Sequence, residues 1–114
     1  MTPGYYGITI YQGETWAETW TRSGVSDATG WAATLEIRAE HDWTSSLLLQ
    51  LTSSGGIALS SDGTRLVMVI TITDDQSAAL LSGTAFYDLK LGKPGGTTEY
   101  LLTGEVAITR RVTA

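Results

Sequence analysis

The 114 residues are 42% hydrophobic and 17% charged, enough apolar material for a core but too short a chain for two ordinary domains, so one domain over residues 1–114 is expected. A net charge of −5 with seven Lys and Arg lacks the basic stripe that replaces phosphate counterions, which argues against nucleic acid as a partner. There is no cysteine, so disulfides, thiolate zinc sites and cysteine nucleophiles are excluded. The opening MTPGYYGITIYQGETW has no basic stretch followed by an apolar run, and the longest apolar run, LVMVI over Leu66–Ile70, is too short to span a bilayer. The expectation is a soluble protein made in a cytoplasm, without a membrane partner. A core of this size is marginal alone, and oligomerisation would help it.

Apolar and polar residues alternate with period two along most of the chain, with turn residues between the runs. The first predicted strand is Tyr6–Tyr11, with Ile8 and Ile10 on one face. Thr15–Arg22 follows, placing Trp16, Glu18 and Trp20 on one face and Thr15, Ala17, Thr19 and Thr21 on the other. Ser23–Gly30 reads as a loop. In Trp31–Ala39, Trp31, Ala33, Leu35 and Ile37 face one way. EHDWTSS turns the chain into Leu47–Leu51, and Gly55-Gly56 breaks it again. IALSSDGTRLVMVITI predicts a hairpin with a type I′ turn at Asp62-Gly63 and an inner face of Leu66, Met68, Ile70 and Ile72.

TDDQSAALLSG is the one helical stretch. Thr73 and Gln76 have capping-box spacing, Asp74 and Asp75 favour the helix N-terminus, and Gly83 is placed to end the helix. In Lys93-Pro94-Gly95-Gly96 the proline and glycine occupy the two central positions of a type II turn. That turn closes a final hairpin with Tyr87, Leu89 and Leu91 across from Tyr100 and Leu102, continued by Val106 and Ile108. About seven or eight strands with one short connector helix predict an all-β fold, an immunoglobulin-like antiparallel β-sandwich. A partly closed barrel is the alternative.

Chemistry-bearing patterns are sparse. The single histidine sits in Glu40-His41-Asp42-Trp43, but a strong metal site needs three or four convergent ligands. Asp74 and Asp75 are adjacent on a helix, do not face each other and have no calcium-loop pattern around them; capping accounts for both. No serine lies in a G-x-S-x-G elbow, and the glycine-rich spots lack a phosphate-loop context. Neither catalysis nor a cofactor is expected.

The aromatics carry more weight. Trp31 and Tyr87 are assigned to the core, Tyr87 at the position of a corner tyrosine. Trp43 is expected to be exposed in its turn, and Trp16 and Trp20 share their face with Glu18, as at a rim or interface. The predicted contact residues are Tyr5, Tyr6, Trp16, Trp20 and Trp43, with Arg110 and Arg111 as rim charges on opposite faces of the last strand. Tyr5–Tyr11 reads as a free edge able to accept a strand from a neighbour, and Met1 is expected to be held in place.

Four stretches in order, ITIYQGETWAETWT, DATGWAATLEIR, LLLQLTSSGGIALSSDGTRLVMVITITDDQSAALLSG and YDLKLGKPGGTTEYLLTGEVAITRRVT, span most of the chain. Together they resemble small virion structural proteins of tailed bacteriophages, similar to the N-terminal, virion-attached domain of upper baseplate proteins. Proteins of that kind continue into a long helical or receptor-binding region, and this chain resembles the attachment module alone. The resemblance implies a non-enzymatic virion component that docks to other virion proteins, at the tail, baseplate or collar or as a capsid cement subunit, with homo-oligomers inside a symmetric assembly. A carbohydrate-binding module for a host-surface glycan is the alternative function, requiring two coplanar exposed rings near Gln12, Glu14 or Asp42.

Overall fold

The alternating segments fold as nine strands and one helix in a computed structural model, which describes residues 3–112; the expectation for Met1 falls outside them. The strands are β1 (Gly4–Tyr5), β2 (Ile8–Tyr11), β3 (Trp16–Ser23), β4 (Ala32–Arg38), β5 (Leu47–Thr52), β6 (Ile57–Ser61), β7 (Arg65–Ile72), β8 (Gly83–Gly92) and β9 (Thr98–Thr109), with α1 (Asp74–Ala79) between β7 and β8. One sheet runs β1-β9-β8-β4-β5, with β2 also on β9; the other runs β3-β7-β6. If β1 and β2 count as one interrupted first strand, β3, β7 and β6 take the B, E and D positions of an immunoglobulin-like sandwich. β4, β8 and β9 then take C, F and G, and β5 is an added strand beside C. The all-β, immunoglobulin-like sandwich is therefore the fold.

Hydrophobic alternation places the core. Leu66, Met68, Ile70 and Ile72 of β7 face Ala33, Leu35 and Ile37 of β4 and Tyr87, Leu89 and Leu91 of β8, all buried, as the period-two pattern predicts. Trp31 is only half-buried. It lies just before β4, at the margin of the core, with the Arg22 guanidinium 5.5 Å from its ring centre.

The first predicted strand is split. β1 and β2 both pair with β9 in parallel, so the sheet is not wholly antiparallel, and Tyr6-Gly7 interrupts them. At the break the Tyr87 hydroxyl donates to the Tyr6 carbonyl at 2.6 Å. Gly104 lies beneath that carbonyl, and a Cβ there would overlap the Tyr6 carbonyl and crowd the Tyr87 ring. Tyr87 is thus buried as expected, but it ties down the N-terminal segment instead of forming a corner near the helix. Burial pushes its phenol up from the ordinary value, helped by the negative charge of Glu18.

Three turns show how local chemistry sets register. Gly95 takes φ +94° and Gly96 N donates to Lys93 O, matching the type II expectation for Pro94-Gly95. The Asp62-Gly63 turn is not type I′: only Gly63 has positive φ, while the Asp62 carboxylate accepts from the amides of Thr64 and Arg65 and pairs with the Arg65 guanidinium. Those bonds, the Thr64 amide foremost, hold Asp62 well below the usual carboxylate range. Thr73 and Gln76 form the expected capping box, but α1 ends at Ala79 and Gly83 opens β8 instead of closing the helix.

Candidate docking surface

Two places on the sandwich gather aromatic side chains at the surface. The first is the seam where the edge of β3 lies beside β1. Alternation turns Trp16, Glu18, Trp20 and Arg22 of β3 inward, but β3 is an edge strand and all four remain half-buried. Trp20 stacks on Tyr87 with ring centres 6.0 Å apart and meets Tyr6 and Trp16 edge-on at 5.9 and 6.1 Å. The Glu18 carboxylate accepts from the Tyr6 hydroxyl at 2.9 Å and from Trp20 Nε1 at 3.3 Å. That hydrogen bond first, and then the charge of Glu18, raises the Tyr6 phenol above its ordinary value. A shallow hollow of about 490 Å³ opens there between the sheets, walled by Tyr5, Tyr6, Trp20, Leu101 and Leu102.

Of the seven predicted contact residues, the fold therefore brings four together. Tyr5, 69% exposed, and Tyr6 point outward at the seam, and Tyr5–Tyr11 is the predicted edge. Trp16 and Trp20 are half-buried and pack against the core. The interplanar angle between them is 70°, so they do not form the coplanar platform that sugar stacking requires. Arg110 and Arg111 lie beyond the last residue of β9 and not on opposite faces of it. Arg110 reaches Ser82 Oγ at 3.5 Å, and the Arg111 amide donates to Gln12 Oε1.

Trp43 is elsewhere. It is 81% exposed in the turn between β4 and β5, which overhangs the outer face of the larger sheet. Beneath it, Phe86, Tyr100, Asp88, Lys90 and the Glu36–Arg38 ion pair border a hollow of about 400 Å³. His41 stacks on Phe86 with centres 5.7 Å apart, and its Nε2 lies 3.2 Å from Thr103 Oγ1. Tyr100 reaches this face through a bulge: Leu89 pairs with Leu102 but Lys90 pairs with Tyr100, so Leu101 is an extra residue. The expected inward pairing of Tyr100 with the leucines of β8 is thereby overturned.

The same bulge turns Glu99 inward, a placement that period-two reading does not reveal. Its side chain is 5% exposed and crosses the sandwich to Arg22, whose Nε and Nη2 each donate at 2.9 Å, with Lys93 Nζ at 3.3 Å. The Arg22 fork holds the Glu99 carboxyl down at about 2 against the opposing effect of burial, with Lys93 assisting. This cluster closes the end of the core by the Pro94 turn. Glu99 is one of three acids in the final hairpin, with Asp88 and Glu105, and the sequence does not single it out.

Ser77, the buried serine, donates to the Glu14 and Asp74 carbonyls and accepts from the Gly13 amide, so it anchors α1 to the turn before β3. Among the described residues no three His, Cys, Asp or Glu side chains come together as metal ligands, and no helix is long and apolar enough to cross a membrane.

No protein-family model and no curated protein matches the sequence. Among solved structures, the chain is similar to the extracellular domain of a voltage-gated sodium channel β4 subunit, described as forming parallel homodimers in cell–cell adhesion. The alignment covers 98% of this chain and 97% of that one at 10% identity, with a TM-score of 0.39.

Proposed function

We propose that the protein is a non-enzymatic structural component of a tailed-bacteriophage particle, docking to other virion proteins and to copies of itself. The observation that carries this reading is the seam, where Tyr5 and Tyr6 project beside two sheet edges whose outer sides no described strand covers. Open edges accept main-chain hydrogen bonds from a neighbour, and aromatic rings beside them supply desolvated contact area. The phage assignment rests on the succession of four sequence stretches, and it directs the test to particles. Purified virions separated into heads and tails are expected to carry the chain in one fraction by mass spectrometry. A folded Tyr5→Glu variant is expected to be depleted there. A chain missing from both fractions would end the proposal.

The outer-face hollow favours a second reading, recognition of a host-surface glycan, because Trp43 and Tyr100 stand exposed among charged side chains. A glycan array run with the wild type and with Trp43→Ala decides it: a signal lost in the variant supports the reading, and no signal removes it.

A further inference from the structure

β3 has one bonded side and one free side, and the hydrogen bonds reveal which groups lie on each. Gly24 N donates to Thr64 O, two residues past the Arg22↔Leu66 pair and in the same register. Main-chain groups alternate sides along an antiparallel strand, so those of Trp16, Glu18, Trp20 and Arg22 point to β7. The other side of β7 agrees: Thr71 N donates to Gly56 O, turning the odd-numbered residues of β7 to β6. The amides and carbonyls of Ala17, Thr19, Thr21 and Ser23 therefore point off the sheet, where no described strand meets them.

We propose that this edge pairs with the same edge of a second copy, antiparallel about a two-fold axis through Trp20, joining two three-stranded sheets into one of six. The proposal rests on the docking reading and names the partner at the seam. Parity is the first argument. With Trp20 opposite its own copy, Thr19 falls opposite Thr21 of the second copy and Ala17 opposite Ser23, and all four carry free main-chain groups. Charge is the second. In a two-fold pairing each residue meets a fixed counterpart, and like charges there are unfavourable. Here Glu18 meets Arg22, the only ionisable side chains on the strand, with opposite signs.

Vacancy is the third argument. A constant-type immunoglobulin sandwich sets its first strand against the B position. In this protein the first strand has gone to β9 instead, leaving Trp16 and Trp20 half-exposed beside an empty lane. The other edges suit pairing less well. β5 is bulged against β4, and its Thr52 amide is already used by Gly55; β6 is only five residues long, and the β1–β2 edge is cut into two and four residues. β3 runs eight residues in unbroken register.

The test uses the outward-facing threonines, which the core does not need. Thr19→Lys/Thr21→Lys sets lysine against lysine across the proposed axis. Thr19→Lys/Thr21→Glu sets lysine against glutamate in that register, whereas a register shifted by one pair would bring identical charges together. Sedimentation velocity up to ~1 mM protein, with circular dichroism to confirm folding, is expected to show a wild-type dimer, a monomeric Lys/Lys variant and a dimeric Lys/Glu variant. A wild type that stays monomeric, or a Lys/Lys variant that stays dimeric, overturns the pairing, as does a folded Lys/Glu variant that does not dimerise. Particle incorporation separates this outcome from the docking reading. A monomeric wild type that enters virions overturns the pairing alone, and a dimer missing from virions overturns the docking alone.

Discussion

β3 and β7 are neighbours in one sheet, equal in length and identical in alternation, yet they do different work. The inner face of β7 is Leu66, Met68, Ile70 and Ile72, each with no exposed surface; that of β3 is Trp16, Glu18, Trp20 and Arg22, each half-buried. The inner face of a strand flanked on both sides can lose all contact with water and here carries only apolar groups. An edge strand keeps a wet margin, where rings with polar tips and long charged side chains are stable: the apolar body packs inward and the polar end stays solvated. The same period thus encodes core in one strand and a contact surface in the other.

The largest effect should come from breaking β7. Ile70→Ala removes buried methylenes from a closely packed site and is expected to cost about 2–5 kcal/mol in urea unfolding. Thr19 variants on the outer side of β3 should leave the unfolding midpoint nearly unchanged. Equal losses in the two strands would erase the distinction between them.

The tie beneath the seam comes next. Tyr87→Phe removes the donor to the Tyr6 carbonyl and is expected to cost about 1–2 kcal/mol. Faster amide exchange should appear in residues 4–11 before it appears in β7. If exchange quickens uniformly, the Tyr87–Tyr6 bond is not what holds the first strand to the sandwich.

The end of β3 supplies a pH effect. Glu99 titrates at about 2 in the folded protein against an ordinary value of 4.5, so between those values the unfolded chain binds more protons. The stability contributed by the Arg22–Glu99–Lys93 cluster is therefore complete above about pH 4.5 and is lost as pH falls towards 2. Melting temperature measured from pH 6 to pH 2 should fall less steeply in Glu99→Gln than in the wild type, although the variant starts lower. Parallel acid limbs would show that Glu99 is not the group responsible. The smallest effect is expected at Trp43→Ala, within about 0.5 kcal/mol of the wild type, because an exposed ring in a turn supports no packing.

Where turn chemistry is local, the sequence is a good guide. Pro94-Gly95 specifies its turn through a fixed φ and a positive one, and Thr73 with Gln76 specifies the helix start through two reciprocal hydrogen bonds. Asp62-Gly63 misleads because a dipeptide does not reveal that the aspartate side chain will satisfy the turn amides itself. Of the candidate surface, the tyrosines at positions 5 and 6 and the exposure of Trp43 were legible from position and polarity. The inward turn of Trp16 and Trp20 was not, since alternation defines two faces without saying which one meets the other sheet.

Local pattern is enough to tell that this chain is built of strands, which residues share a face, and where most strands turn, because backbone sterics and period-two burial act over a few residues. Packing in three dimensions sends the first strand away from β3 and onto β9. It alone decided that a bulge swings Glu99 across to Arg22, and that a tyrosine hydroxyl reaches the Tyr6 carbonyl above Gly104. Those outcomes depend on residues 77 to 98 positions apart meeting in space, and no local pattern encodes such a meeting.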